Sequence, residues 1–275
     1  MAGRRYILFS DLDGTLLDVR TFGFDGARPA LETLRAKGIP LVLMTSKTAE
    51  ETLGYVRVLA TGESFSVENG GAAYLAVHRA LAPPPGSVGD GEYFRWDLGV
   101  SVRRLTGFLQ AFNRSRGTDI RTFGDLTVEE VAAATGLPLG EADQARRRRF
   151  DLPLIVPPED GSALELLRSE AEAAGLAVVG GGLFPHLKGP ADKGTAFDRL
   201  LSHYAASGGS RTVALGDSAN DLPMLAKADL AVLMPRPDGS FDPGLRAALP
   251  RAILAPGPGP AGWAEAVLDI IRQGR

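Results

Sequence analysis

The chain has 275 residues, sets 30 basic side chains against 33 acidic ones for a net charge of −3, and contains no cysteine. This excludes thiolate nucleophiles, disulfides and cysteine-held zinc or iron–sulfur centres, and three histidines (His78, His186 and His203) leave little for histidine-dependent metal or triad chemistry. With 44% hydrophobic residues the chain suffices for one or two folded domains.

Arg4–Ser10 is an apolar run that reads as a buried strand; acids cut it off too early for a signal segment. Helical spacing follows over Ala30–Lys37, stopping at Gly38, and then a second strand over Pro40–Thr45. Thr48 with Glu51 predicts a capping box opening a helix to Leu59. Phe65–Val67 reads as a third strand, and Ala72–Val77, after Gly70 and Gly71, as the return arm of a hairpin. Strand–helix alternation of this kind predicts βαβ units and a parallel sheet.

The stretch from Ala82 to Gly91, with three prolines and three glycines, reads as a crossing loop that opens an inserted α+β domain. Its expected elements are a helix over Val102–Asn113, a strand over Asp119–Phe123, a helix capped by Thr127 with Glu130, a strand over Phe150–Val156, a helix over Ala163–Ala174 and a strand over Leu176–Val179. From Lys193 the earlier rhythm returns: helices over Gly194–Ala206, Ala219–Ala226 and Ala261–Arg272, and strands over Arg211–Leu215, Leu230–Leu233 and Ala252–Leu254. No run approaches the roughly 18 apolar residues of a membrane span, so a soluble, cytoplasmic protein is expected.

Chemistry concentrates at two strand ends. Asp11-Leu12-Asp13-Gly14-Thr15 follows the first strand, and alternation sends Asp11 and Asp13 to one side, where α/β sheets bind ligands. Two carboxylates without a histidine or cysteine nearby suit carboxylate nucleophilic catalysis with a separate acid–base; a calcium-type loop or a plain acidic turn is the alternative. Gly216-Asp217-Ser218-Ala219-Asn220-Asp221 follows another strand end. Four carboxylates from two strand ends need a cation, and Mg²⁺ fits an all-oxygen set better than zinc. Helix capping by Asp217 or Ser218 is compatible with that role.

Asp11–Thr15, Thr45 at the end of the second strand, Lys193-Gly194 opening a helix, and Gly216–Asp221 resemble, in order, the four motifs of the haloacid-dehalogenase-like phosphatase superfamily. The resemblance implies a doubly wound, Rossmann-like α/β core (1–82 and 187–275) and an α+β cap of the C2 type (83–186). It implies Asp11 as nucleophile, Asp13 as acid–base, and Thr45 and Lys193 as holders of the phosphoryl oxygens. Asp11, the Asp13 carbonyl and Asp217 would bind Mg²⁺, with Asp221 binding directly or through water. Lys188 is the alternative to Lys193 as phosphate lysine.

Met44–Thr48, Glu68–Gly71, Arg148–Pro153 and Gly180–Leu187 further resemble the mannosyl-3-phosphoglycerate phosphatases. That implies a phosphatase making mannosylglycerate, a compatible solute. Glucosyl-3-phosphoglycerate or another sugar phosphate, a phosphotransferase or mutase, and a non-catalytic binding module are the rival readings. Residues expected against the substrate are Ser46, Lys47, Glu68, Asn69, Arg148, Arg149, Gly181, Gly182, His186, Lys188 and Asn220. Gly180–Gly182 reads equally as a hinge, and Arg146–Arg149 as a solvated loop. Nucleic acid is not an expected partner of an acidic chain whose basic tetrad lacks interleaved aromatics. Five of the 30 basic residues are lysine, so 25 are arginine, a bias that points to a warm habitat or a GC-rich genome.

Overall fold

The computed structural model describes residues 5–180, 183–204 and 210–274. The strands are β1 (Arg5–Ser10), β2 (Leu41–Met44), β3 (Phe65–Val67), β4 (Ala72–Ala76), β5 (Val88–Asp90), β6 (Tyr93–Asp97), β7 (Arg121–Thr122), β8 (Asp151–Ile155), β9 (Ala177–Val179), β10 (His186–Lys188), β11 (Ser210–Gly216), β12 (Leu230–Leu233) and β13 (Ile253–Leu254). The helices are α1 (Arg28–Ala36), α2 (Ala49–Val58), α3 (Val102–Arg116), α4 (Val128–Thr135), α5 (Leu139–Ala145), α6 (Ala163–Ala173), α7 (Lys193–Leu201), α8 (Leu222–Leu225), α9 (Pro243–Ala248) and α10 (Gly259–Gln273).

The larger sheet has the order β13-β12-β11-β1-β2-β3-β4-β6-β5. It is parallel from β13 to β3, and β4, β6 and β5 add antiparallel. Strand β1 is apolar on both faces because both are covered: Tyr6 and Leu8 join the cluster of Trp263, Val267 and Ile270 from α10, while Ile7 and Phe9 join that of Phe197 and Leu200 from α7. The ends of β1, β2 and β11 therefore lie side by side, and the Asp11 amide donates to the Leu215 carbonyl at 3.0 Å.

The smaller sheet is antiparallel, β7-β8-β10-β9, and α3 and α6 bury Leu105, Leu109, Phe112 and Leu167 against its Leu152, Leu154 and Leu187. Helices α4 and α5 build a second apolar cluster around Phe123, Val131 and Leu137. Among the described residues no helix is long and apolar enough to cross a membrane.

Two assignments move. Residues 88–97, which fall in the expected insert and for which the sequence predicts no strand, form β5 and β6 and extend the larger sheet: Tyr74 pairs with Arg95, and Tyr93 and Trp96 enter its two apolar layers. The proline- and glycine-rich run thus leads into the larger sheet, and its density of turn residues hid β5 at its end. Strand β10, expected at the return to the core, is an inner strand of the smaller sheet between β8 and β9. Crossing between the sheets occurs where Gly99 and Gly189 pass; a β-carbon on Gly189 would lie 2.9 Å from the Val100 nitrogen. Two short helices, α5 and α9, lacked a periodic signature, and the expected helix over Ala219–Ala226 is a 3-10 turn followed by α8.

Candidate active site

The site grows from the carboxyl ends of β1, β2 and β11. After Asp11 the chain turns through Gly14 at φ +76°, a conformation that favours glycine; a β-carbon there would also meet the Asp217 carboxylate at 2.7 Å. Asp11, Asp217 and Asp221 each bring an oxygen within 4.8 Å of the others. Lys193, the first residue of α7, reaches into this cluster fully buried. Its Nζ donates to Asp11 Oδ1 and to Asp221 Oδ1, each at 2.6 Å. Burial alone would lower the Lys193 pKa, but these two carboxylates outweigh it and hold the ammonium charged.

One lysine does not neutralise three acids. Burial first, opposed by Lys193 and aided by repulsion from Asp221 and Asp217, raises the Asp11 carboxyl well above its ordinary value, and burial with Asp221 pushes Asp217 up to about 7. Crowded carboxylate oxygens with residual negative charge are a donor set suited to a hard dication. Asp221 also closes its own turn: Oδ2 accepts the amides of Asp217 and Ser218, in a capping box with Ser218.

The carboxylate of Asp13 stands apart from that cluster. Its Oδ2 lies 3.0 Å from Lys47 Nζ, and its Oδ1 is buried without a hydrogen-bond partner. Lys47 is itself buried and held charged, because Asp13 first and then Glu51 outweigh the cost of burial.

Above these groups a cavity of about 160 Å³ opens between core and cap. Of the residues expected against substrate, Ser46, Lys47, Arg148, His186 and Asn220 line it, together with Asp11, Asp13 and Asp217. Thr45 and Lys193 are buried and off its wall; the Thr45 hydroxyl accepts the Lys47 amide at 3.1 Å. The apolar side of the wall, which the sequence did not signal, includes Phe22 from the core and Phe123, Leu137, Leu183 and Phe184 from the cap.

Four expected substrate contacts are engaged elsewhere. Glu68 Oε2 accepts the consecutive amides of Arg149, Phe150 and Asp151 at 2.9, 2.7 and 3.1 Å, pinning the start of β8 to the core. Asn69 donates to Asp151 Oδ2 at 2.8 Å and accepts from Asn220 at 3.0 Å. Arg149 is half-exposed, over the Phe150 ring and 3.8 Å from Asp97. Lys188 Nζ donates to the carbonyls of Gly189 and Ala191 and is absent from the wall, and burial lowers its pKa. Gly181 and Gly182 lie outside the described residues.

Asp151, fully buried, is the hub of the cap–core contact. Beyond Asn69 it accepts from Arg148 Nη1 at 2.7 Å and from His186 Nδ1 at 2.9 Å. Arg148 also donates to the Ser46 carbonyl at 2.6 Å. Burial would raise the Asp151 pKa, but Arg148 and then His186 outweigh it and hold the carboxyl well below the usual range. An ionised carboxylate only accepts, so His186 carries its proton on Nδ1 and its other ring nitrogen is free for a different partner.

A family profile of haloacid dehalogenase-like hydrolases matches residues 183–237. Over 268 residues the chain is 37% identical to a glucosyl-3-phosphoglycerate/mannosyl-3-phosphoglycerate phosphatase of Methanococcoides burtonii, covering 97% of each chain. A mannosyl-3-phosphoglycerate phosphatase of Pyrococcus furiosus is 32% identical over 228 residues, 83% of this chain and 90% of that one. A solved structure from Thermoplasma acidophilum shares the fold at a TM-score of 0.70 and 18% identity, covering 98% of both chains. The chain belongs to the mannosyl-3-phosphoglycerate phosphatase family of haloacid dehalogenase-like hydrolases.

Proposed function

We propose that this phosphatase hydrolyses mannosyl-3-phosphoglycerate to mannosylglycerate and phosphate in the cytoplasm, in compatible-solute synthesis, and that it accepts the glucosyl counterpart as well. What carries the substrate reading is the match over 97% of both chains to a relative whose name states both substrates. The cap, which we bound at residues 99–189, closes over the leaving group.

Asp11 attacks phosphorus, forming an aspartyl-phosphate as the bond from phosphorus to the glycerate oxygen breaks. Asp13 gives its proton to that oxygen, then takes one from the water that attacks the aspartyl-phosphate; phosphate leaves and Asp11 is restored. Lys193 holds Asp11 in place and adds fixed positive charge beside the transferring group. Thr45, directly after β2, is assigned to the same oxygens by the family resemblance. Asp11, Asp217 and Asp221 would hold Mg²⁺, with the Asp13 carbonyl as a further ligand, and the ion when bound would supply charge neutralisation at the phosphoryl oxygens. Lys47 and Arg148 are the cations that face the cavity and suit the glycerate carboxylate, and His186 and Asn220 offer polar atoms to the sugar.

The test is phosphate release with Mg²⁺ from mannosyl-3-phosphoglycerate, glucosyl-3-phosphoglycerate, sucrose-6-phosphate, mannose-6-phosphate and 3-phosphoglycerate. The first two are expected to exceed the others in kcat/KM by at least about tenfold, roughly 1.4 kcal/mol of transition-state discrimination. A flat profile, or a hexose-6-phosphate ahead, retires the named substrates and leaves the phosphatase chemistry standing.

A further inference from the structure

Phe22 is held in a conformation its side chain disfavours. Its φ is +55°, in the left-handed region that aromatic residues rarely occupy. A closed turn enforces this: the Phe22 amide donates to the Asp18 carbonyl and the Asp18 amide to the Gly23 carbonyl, each at 2.9 Å. The Asp18 carboxylate locks the turn further, accepting the amides of Arg20 and Thr21 at 3.0 and 2.9 Å. A turn so fully bonded around a strained phenylalanine points to a use for the ring.

The ring has contacts on two sides. Toward the cap it packs against the apolar cluster that contains Phe123, Val131 and Leu137. Toward the core its centroid lies 5.1 Å from Lys47 Nζ, with the Tyr55 ring at 5.7 Å as a second partner. Lys47 in turn stands 3.0 Å from the Asp13 carboxylate. A cation against aromatic faces, shielded from water, is bound more strongly than the same cation in solvent. The cap cluster and Lys47 thus meet the same ring, one on each side.

We infer that Phe22 is a positioning residue that ties cap closure to the placement of Lys47 on Asp13. The inference rests on the reading of Asp13 as the acid–base of the phosphatase; it does not depend on which sugar the substrate carries.

The test is a double-mutant cycle in the full chain, Phe22→Ala against Lys47→Met, read by phosphate release from mannosyl-3-phosphoglycerate and from a small aryl phosphate. Phe22→Ala is expected to lower kcat about tenfold or more with a smaller change in KM, and Phe22→Tyr to restore it to within about threefold. In the Lys47→Met background Phe22→Ala is expected to cost less than about threefold, because the partner through which it acts is gone. Equal losses in both backgrounds, or a loss confined to KM, overturn the inference. Phe22→Gly relieves the backbone conformation while removing the ring, so it should melt no lower than Phe22→Ala yet be equally slow; a Phe22→Gly protein with wild-type kcat also overturns it. Should the wild type hydrolyse the aryl phosphate and no glycosyl phosphoglycerate, the substrate reading fails, and the cycle on the aryl phosphate still decides the role of Phe22.

Discussion

Replacing Asp151 by Asn removes the charge at the hub of the cap–core contact while keeping its shape. The carboxylate is fully buried and accepts three hydrogen bonds, from Arg148, Asn69 and His186, at 2.7, 2.8 and 2.9 Å. Asn keeps one acceptor oxygen but turns an NH₂ either toward Arg148 or toward Asn69 and His186, and the nearly buried guanidinium of Arg148 loses its counter-charge. Breaking one side of a buried ion pair costs about 3–5 kcal/mol. At roughly 2–4 °C per kcal/mol for a chain of this size, Tm should fall by about 6–20 °C. Guanidinium unfolding of wild type, Asp151→Asn, Arg148→Met and the double variant measures it, with the double variant losing less than the sum of the singles. The pH dependence has a definite sign. Asp151 has a lowered folded pKa, so its contribution is complete above the ordinary value of 3.8 and is lost as pH falls below it. Glu68, pushed up to about 7 by burial and then by Asp151, contributes the opposite way: its share is complete below 4.5 and lost as pH rises through about 7. The gap between wild type and variant should therefore be widest between these limits and close on acidification. A variant within 1 kcal/mol of wild type (on the order of a single surface substitution), or a gap indifferent to acid, would refute the account of Asp151 as an ionised hub.

Asp11→Asn should abolish phosphate release without unfolding the protein, since it relieves repulsion in a crowded buried cluster; circular dichroism and a turnover assay check both halves. Chelation should stop turnover and added Mg²⁺ restore it, and the melting temperature should rise with Mg²⁺ concentration, because the metal binds only the folded arrangement of Asp11, Asp217 and Asp221. Gly70→Ala should prevent stable folding or lower Tm severely: its φ is +86° and a β-carbon would sit 2.0 Å from the Asp192 carbonyl oxygen, so the loop carrying Glu68 and Asn69 would have to leave the start of α7. Expression and thermal melting decide it.

The acid cluster and its lysine were legible in the sequence because their signals are local. A buried strand run ending in two alternating acids, a second acidic turn after another strand, and a lysine opening a helix each fix where a side chain goes relative to its own backbone. The α/β topology then brings the strand ends together, so these three short-range features place Asp11, Asp217, Asp221 and Lys193 in one cluster. The capping boxes at Thr48 and Thr127 were readable for the same reason. Only the tertiary structure decided how charges separated by long stretches of chain pair off. Nothing near Arg148 or Glu68 announces that one will reach the Ser46 carbonyl, and the other three backbone amides across the cap boundary. Nor does the sequence say that Lys188 turns to its own loop while Lys193 enters the acid cluster, or that Phe22 reaches both Lys47 and the cap. Sheet membership of the strands from Val88 to Asp97 is of the same kind: a short edge hairpin has little periodicity of its own and takes its place from its neighbours. Backbone geometry and burial patterns are written residue by residue, whereas the partner of a buried charge is chosen by whatever the fold brings within a few ångströms, and that choice separates the groups lining the cavity from those engaged between cap and core.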